Sequence, residues 1–326
     1  MRFRYYIKGL VIALALTILM TGSAVSTPVT GPASSGSALT PVQAIVLGVV
    51  EGLTEYLPVS STGHLLVAKA LMGLGGSAGS DAAINAYIVV IQFGAILAIL
   101  VICLKRFVSL YRGVFQGDPA GRQLMTNLIF AFLPAVVIGL ALEGQIKSRL
   151  FGTYPVIIGW VAGGIVILVF AFLCRHRSID LHRGKPMEAI TIRMALFIGV
   201  AQCLAMWPGV SRSLATILGA LFMGVSMTAA VEFSFLLGAV TLSAASAYDL
   251  LKHGNEMMQV FDFSSMALGL VFAFVSAVLS VKWMVGYLNR YGLELFGYYR
   301  IAVAGVAWLV FFSSTLSFIL LLPQWA

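Results

Sequence analysis

Apolar segments separated by short polar loops follow one another from about residue 41 to the C-terminus. Most hold roughly 20 residues without a charge, the length that an α-helix needs to cross the hydrocarbon core of a bilayer. Because a backbone inside lipid must satisfy its own hydrogen bonds, these segments are predicted to be helices. The predicted segments are 41–57, 60–74, 86–104, 124–142, 154–174, 189–206, 210–225, 229–248, 264–285 and 299–322.

Two pairs of segments, within 41–74 and 189–225, differ from the others. They are short, are interrupted near Pro58 and Pro208, and carry polar residues at the interruptions. Proline ends a helix, and the residue before it is held outside the helical region. Each pair therefore predicts a helix, a break and a second helix, and the short lengths favour re-entrant hairpins over full spans.

Composition and loop charges place the chain in a membrane and orient it. Hydrophobic residues make up 60% and charged residues 10% of the chain, which excludes a soluble domain of ordinary composition. Basic residues are concentrated in the loops 105–123 and 175–193, which the positive-inside rule places in the cytoplasm. The net charge of +8 therefore does not indicate nucleic-acid binding. The first broken pair is predicted to enter from the outer face and the second from the cytoplasm.

The first 40 residues have a different character. Residues 1–24 combine a basic start, an apolar core and a small-residue exit, which fits a cleavable signal peptide and an uncleaved anchor equally well. Residues 25–40 are rich in Ser, Thr, Pro and Gly and predict a flexible linker. We therefore predict one membrane domain at 41–326, with inverted halves at about 41–174 and 189–326.

The two broken pairs are similar to each other at a constant offset. Gly48 and Gly199 are 151 residues apart, and so are Ser60 and Ser211. Similar units of opposite orientation form an inverted repeat, which brings polar breaks together near the midplane of the bilayer. The same alignment pairs Glu51 with Gln202 and Ser61 with Arg212.

The first break holds two carboxylates inside an apolar run. An ionisable side chain at the bilayer centre costs roughly 3 kcal/mol, so such residues are expected to have a function. Glu51 and Glu55 are four residues apart and lie one turn apart on a single face of a helix. Because two like charges do not both ionise easily in a low dielectric, the pair is predicted to share a proton or to hold a metal cation.

Hydroxyl groups and a histidine follow the first proline. Ser60, Ser61, Thr62 and Gly63 predict the start of a new helix, with Ser60 preferred as its cap and Ser61 as the reactant. His64 lies one turn later. An isolated histidine is more often a satisfied polar group than a catalyst, but this position favours a role in a site. Because a helix N-terminus offers free N–H groups to anions, this break is predicted to hold a phosphate.

The second break contributes an arginine and further hydroxyl groups. Gly209 forms a turn with the preceding proline, and Ser211, Ser213 and Thr216 are caps and hydroxyl donors at the next helix start. Arg212 inside a membrane needs an anionic partner, and its planar fork suits a phosphate or a carboxylate. We predict that it pairs with substrate when substrate is bound and with one of the two glutamates otherwise.

These motifs resemble a known family. Residues 51–64, EGLTEYLPVSSTGH, and 208–213, PGVSRS, resemble the two signature motifs of the undecaprenyl-diphosphate phosphatases, the bacitracin-resistance membrane proteins. The resemblance runs from about Leu39 to the C-terminus. Leu214 and the Ala239-Val240 pair depart from the usual pattern, which has a glycine and a proline at the corresponding places.

The resemblance implies hydrolysis of undecaprenyl diphosphate to undecaprenyl phosphate and phosphate, which recycles the lipid carrier for peptidoglycan synthesis. It implies an all-α polytopic fold with an inverted repeat, two re-entrant helix pairs and about six full transmembrane helices. It also implies a location in the bacterial plasma (inner) membrane, a site that opens to the outer face, an isoprenyl diphosphate lipid as substrate, a homodimer, and a divalent cation, Mg²⁺ or Ca²⁺.

The predicted mechanism gives each residue a role. Arg212 and the backbone N–H groups of the two helix starts hold the diphosphate and stabilise its charge. Glu51 and Glu55 bind the metal or act as bases, and Ser61 or His64 is the nucleophile or the leaving-group acid. The sequence leaves open whether water attacks directly or a covalent intermediate forms. Substrate binding is assigned to Ser60, Thr62, Gly63, Gly209, Ser211, Ser213 and Thr216.

A polyprenyl-phosphate transporter or flippase is the rival interpretation, since inverted repeats with broken helices are also the plan of transporters. Binding alone would not require so many reactive groups, which favours the enzyme. A scaffold would leave the intramembrane charges unexplained. Glu232 either faces the cavity or forms a structural ion pair with a basic residue of a loop, and the structural role is favoured.

Overall fold

The structure is a computed structural model, and it describes residues 39–74, 78–150, 152–260 and 263–320. The predicted leader at 1–24 lies outside these residues, as does nearly all of the predicted linker at 25–40. Within the described residues the chain forms eleven α-helices and three single-turn 3₁₀ helices and no named strand. The prediction of an all-α protein is therefore confirmed.

The α-helices are numbered in chain order. They are α1 Pro41–Thr54, α2 Ser61–Leu71, α3 Ala78–Ile102, α4 Leu104–Phe115, α5 Pro119–Leu150, α6 Thr153–His176, α7 Ile192–Cys203, α8 Arg212–Phe222, α9 Met227–Val260, α10 Phe263–Tyr291 and α11 Glu294–Leu320.

Six helices contain stretches that are long and apolar enough to cross a bilayer. These are Ile84–Ile102, Pro119–Leu142, Thr153–His176, Met227–Leu251, Phe263–Tyr291 and Glu294–Phe312. Large apolar side chains such as Phe172 and Leu309, each 65% exposed, cover their outward faces, as lipid-facing helices require. The chain is therefore a multi-pass membrane protein, as the apolar segments predict.

The four helices of the broken pairs are much shorter. Helices α1, α2, α7 and α8 have between 11 and 14 residues. At 1.5 Å per residue the longest of them extends about 21 Å, less than the roughly 30 Å of a hydrocarbon core. Their length is compatible with re-entrant hairpins, and the hairpins stay a prediction.

The packing of the helices repeats between the halves. Helix α1 packs on α10, and their counterparts in the other half, α7 and α5, also pack on each other. Two further pairs of counterparts, α3 with α9 and α6 with α11, pack directly against each other. The aligned glycines occupy equivalent contacts, because a Cβ on Gly48 would collide with the carbonyl of Gly269, and one on Gly199 with the carbonyl of Ala131. This arrangement supports the predicted repeat and its offset.

Helix α4 differs from the rest, because it is a short amphipathic helix between the spans of α3 and α5. Its inner face buries Leu110 and carries Arg106, which donates from Nε to Oε1 of Glu232 and from Nη1 to Oε1 of Glu188, each at 2.9 Å. The structural ion pair predicted for Glu232 is thus present. These two ion pairs fix which face of α4 points away from the other helices.

Candidate active site

The two breaks lie against each other. The Ser213 hydroxyl donates to the carbonyl oxygen of Leu57 at 2.9 Å, and the Ser211 hydroxyl lies 3.5 Å from the same oxygen. The two serine oxygens are 3.0 Å apart. The hydroxyl groups of the second break therefore fasten the backbone of the first, and the predicted meeting of the two breaks is observed.

The same unusual backbone conformation occurs once in each break. Ser60 and Ser211 precede α2 and α8 with φ of 71° and 78°, a left-handed region that costs a non-glycine residue about 1–3 kcal/mol. Ser211 caps its helix by accepting from the N–H of Leu214 at 3.3 Å, whereas the Ser60 side chain makes no capping hydrogen bond. Ser60 thus occupies the predicted cap position without capping through its side chain.

Glu55 accepts a hydrogen bond from one side chain of each break. The Arg212 Nη2 donates to its Oε1 at 2.9 Å, and the Ser61 hydroxyl donates to its Oε2. The side chains of Arg212 and Glu55 are 14% and 6% exposed. A carboxylate placed between a guanidinium and a serine hydroxyl can accept the serine proton while the arginine balances its charge. We call Glu55, Ser61 and Arg212 the central cluster.

Glu51 lies one turn before Glu55, as predicted, because the Glu55 N–H donates to the Glu51 carbonyl at 2.9 Å. Its side chain is 1% exposed, and both carboxylate oxygens lack a hydrogen-bond partner, as does Nη1 of Arg212. Buried polar atoms are nearly always paired in folded proteins, so unpaired ones need an explanation. A bound cation, or a proton shared with Glu55, would partner the Glu51 oxygens, and the phosphate groups of a substrate would partner Nη1 of Arg212.

The surroundings of Arg212 add two residues that the sequence did not single out. The guanidinium carbon lies 5.6 Å from the centroid of the buried Tyr56 ring, which is within the range of a cation–π contact. On the other side the guanidinium lies against Gly238 of α9, where a Cβ would collide with it. The arginine is therefore held in position by its environment and by its carboxylate.

His64 has partners outside the central cluster. Its Nδ1 lies 2.7 Å from the carbonyl oxygen of Ser60, and its Nε2 lies 2.8 Å from the hydroxyl of Tyr299 on α11. Because a carbonyl only accepts, Nδ1 carries the hydrogen, and in the neutral imidazole Nε2 then accepts from the Tyr299 hydroxyl. Neither of these hydrogen bonds reaches Glu55, Ser61 or Arg212. His64 lies one turn after Ser60, as the sequence predicts, and its role in the chemistry stays a prediction.

The other predicted binding residues are spread around the cluster. Thr216 donates toward the Arg212 carbonyl at 2.9 Å and lies 2.6 Å from the hydroxyl of Ser234, so it joins α8 to α9. Gly63 lies under the Trp160 ring, where a Cβ would collide. Gly209 has φ of +96° and approaches the backbone of α6 closely. The side chain of Thr62 is exposed.

Arg300 of α11 contacts both breaks, and sequence reasoning missed it. Its side chain is fully buried and donates to the carbonyl oxygens of Pro58 at 3.1 Å and Gly209 at 2.6 Å. It also donates to Gly159 at 2.8 Å and Trp160 at 3.3 Å on α6. Because it lies at the start of an apolar segment, the sequence allowed an interfacial position for it. One intramembrane arginine thus joins both breaks to α6.

Comparison with known proteins agrees with the motifs. Residues 44–306 match the family model described as bacitracin resistance protein BacA. The chain is 43% identical over 269 residues to the undecaprenyl-diphosphatase of Sorangium cellulosum, covering 82% of this chain and 85% of that protein. It is 44% identical over 270 residues to the undecaprenyl-diphosphatase of Cereibacter sphaeroides, covering 82% and 96%. Undecaprenyl-diphosphatase 2 of Rhodospirillum rubrum is 43% identical over 272 residues, with 82% and 95% covered.

Proposed function

The chain belongs to the bacitracin resistance protein BacA family, and from this premise we propose that it hydrolyses undecaprenyl diphosphate to undecaprenyl phosphate and inorganic phosphate. The observation that carries the proposal is the central cluster, in which Glu55 accepts from both Ser61 and Arg212 where the two breaks meet. The names of the relatives support hydrolysis rather than lipid transport.

Substrate binding is assigned to Arg212 and to the two helix starts. When the diphosphate enters, its oxygens replace Glu55 as partners of the guanidinium, whose Nη1 has no partner now. The first N–H groups of α2 and α8 have no partner within their own helices and suit an anion, apart from that of Leu214, which Ser211 caps. Stabilising the charge that develops on the transferred phosphoryl group is the main task of such a site.

The chemical step is assigned to Ser61 and Glu55. Glu55 takes the hydroxyl proton, and Ser61 Oγ forms a bond to the terminal phosphorus while the bridging phosphorus–oxygen bond breaks and undecaprenyl phosphate leaves. Glu55 gives this proton to the departing undecaprenyl phosphate and is a carboxylate again. It then takes a proton from a water molecule that attacks the phosphoserine, the bond between phosphorus and Ser61 Oγ breaks, phosphate leaves, and the proton returns to Ser61. In the competing route Glu55 activates a water molecule that attacks the diphosphate directly. His64, held by Ser60 and Tyr299, has a positioning role in either route.

A divalent cation is proposed at Glu51 and Glu55. The unpaired oxygens of Glu51 support it, and oxygen ligands are those that Mg²⁺ and Ca²⁺ prefer. No group of three or more His, Cys, Asp or Glu side chains suited to a metal occurs in the part of the chain that the structure describes. The residues fit Mg²⁺, which is often held by one or two carboxylates together with substrate phosphates. The cation would supply positive charge to the phosphate oxygens.

The remaining proposals rest on loop charges and on the resemblance. The protein resides in the bacterial plasma membrane with its site open to the outer face, the isoprenyl tail lies among the helices within the bilayer, and two copies form a homodimer.

The test is phosphate release from undecaprenyl diphosphate by the purified protein in detergent, with and without a chelator. Arg212→Ala and Ser61→Ala are compared with the wild type and with Arg175→Ala, which alters an exposed arginine paired with Glu294. Removing Arg212 should lower kcat roughly 10²- to 10³-fold, while the control keeps wild-type activity. A folded wild-type protein that releases no phosphate would refute the proposed phosphatase activity.

If Ser61→Ala lost no more than tenfold, the serine would not be the nucleophile, and direct attack by water would be favoured. A burst of undecaprenyl phosphate before the steady state would favour the covalent route. Activity that is unchanged by the chelator would refute the proposed dependence on a divalent cation.

A further inference from the structure

We propose that the cavity beside α4 binds the phosphodiester headgroup of an anionic glycerophospholipid at the end of the bilayer where α3 and α5 emerge. The cavity lies away from the central cluster, and the inference does not rest on the reaction proposed above. By the positive-inside rule this end faces the cytoplasm, so the lipid belongs to the inner leaflet.

The cavity has a volume of about 460 Å³ and lies between α4 and the turn into α5. Such a volume is within the range of about 300–1,000 Å³ found for small-molecule pockets. Helix α4 lines it with Lys105, Ser109 and Arg112, and Gln116, directly after the helix, adds a fourth polar side chain. These positions are separated by four, three and four residues, so they form one polar stripe along the helix.

The charge around the cavity is positive. Lys105 and Arg112 are exposed, and neither forms an ion pair with an acid in the described part of the chain. The Arg122 guanidinium lies beside Gly117 at the rim. Asp118 is the one acid among the lining residues, and its Oδ2 accepts from a backbone N–H of α5 at 3.0 Å. Three cations against one acid leave a net charge of +2, which complements a phosphodiester.

An apolar stripe lies next to the polar stripe on α4. Leu104, Val108, Tyr111 and Phe115 are between 40% and 72% exposed, and the rings of Tyr111 and Phe115 are 4.9 Å apart. Large apolar side chains on a helix beside two membrane spans are expected to enter the acyl region, with aromatic rings near the headgroups. Because Arg106 is tied to Glu232 and Glu188, α4 presents these stripes outward.

The adjacency of the two stripes favours a lipid over a free anion. A soluble phosphate would use only the cations, and its site would have no use for an exposed apolar surface beside them. A phospholipid uses both, because its phosphate binds the polar stripe while its acyl chains cover the apolar one. Basic residues at the cytoplasmic surface of a membrane each contribute to binding of anionic lipids.

The test is a titration of the purified full-length protein with phosphatidylglycerol, in which native mass spectrometry counts the bound lipids. The double variant Lys105→Gln/Arg112→Gln is compared with Arg177→Gln/Arg193→Gln, which removes two exposed charges from the other basic loop. One further arm uses phosphatidylcholine, and another adds millimolar inorganic phosphate as a competitor. Phosphate release in detergent, without added phospholipid, checks that each variant is folded and active.

We expect the α4 double variant to bind the tightest phosphatidylglycerol roughly thirtyfold more weakly, about fivefold for each cation removed, while the control pair and phosphatidylcholine binding change little. Equal losses in the two double variants would overturn the proposal in favour of general attraction by the basic loops. Wild-type binding by the α4 variant would also overturn it. Displacement of the lipid by millimolar inorganic phosphate would assign the cavity to a soluble anion.

Discussion

Arg300 is expected to set the geometry of both breaks without touching the substrate. It donates to one carbonyl in each break, Pro58 and Gly209, and to two more on α6. A hydrogen bond from a charged donor contributes about 1.5–3 kcal/mol. If the two bonds to the breaks contribute at the low end of that range, their loss totals about 3 kcal/mol, which is roughly a hundredfold change in an equilibrium. Arg300→Met should therefore lower kcat about a hundredfold.

The free energy of unfolding should change less than the activation free energy that kcat reports. Arg300→Met also removes a buried cation and its cost of desolvation, and this gain partly offsets the lost hydrogen bonds. Arg300→Lys keeps the charge but has no planar fork to reach four carbonyls, so we expect a loss of about tenfold in kcat. Arg290→Met, which changes an exposed arginine at the end of α10, is the matched control.

The assay is phosphate release as a function of undecaprenyl diphosphate concentration, with unfolding followed on the same samples. A residue with only a structural role would lower the folded fraction and leave kcat per folded molecule unchanged. A positioning residue would lower kcat while the protein stays folded. Wild-type kcat for folded Arg300→Met would refute the reasoning.

Three further predictions concern packing, the cation and pH. Gly48→Ala should lower the thermal midpoint by several degrees, because the new methyl group meets the Gly269 carbonyl and overpacking costs about 1–3 kcal/mol. Gly286→Ala, with nothing near its added methyl group, should leave the midpoint unchanged. Equal midpoints for the two variants would contradict the close contact of Gly48 with Gly269. Glu51→Gln should lower phosphate release and its response to added Mg²⁺ together; an unchanged Mg²⁺ titration would exclude Glu51 as a ligand. The pKa of Glu188 lies below its usual value because the carboxylate accepts a hydrogen bond from its own backbone and one from Arg106 on α4. The ionised Glu188 therefore stabilises the fold above the usual glutamate pKa, and this stabilisation is lost as the pH falls through the lowered pKa of the folded protein. Glu188→Gln should therefore reduce the loss of thermal stability in acid, which a melting series across that pH range would measure.

Much of the architecture can be predicted from the order of apolar and polar residues. Spans such as those within α6 and α10 follow from their length and hydropathy, because an α-helix is the one structure that satisfies the backbone of a single segment inside lipid. The prolines at 58 and 208 predict breaks for an equally local reason. The repeat is also visible in the sequence, and the matching left-handed φ of Ser60 and Ser211 supports the alignment.

The partners within the site could not be read from the sequence. The residue types allowed Arg212 to pair with either glutamate, and the structure pairs it with Glu55 while Glu51 stays without a partner. The sequence placed His64 one turn after Ser60 but did not indicate that its ring pairs with Tyr299 of α11. Each outcome depends on which face of a helix is turned toward a distant element, and helical periodicity alone does not fix that rotation.

The sequence by itself therefore determined the membrane class, the two breaks, their repeat and the residue types gathered there, because these features depend on neighbours a few positions apart. Only the tertiary structure decided which atoms meet. Glu55 and Arg212 are 157 positions apart, and Arg300 and Pro58 are 242 positions apart. Contacts over such separations arise from the packing of whole helices, and for this reason the arginine that joins both breaks became recognisable only in the folded protein.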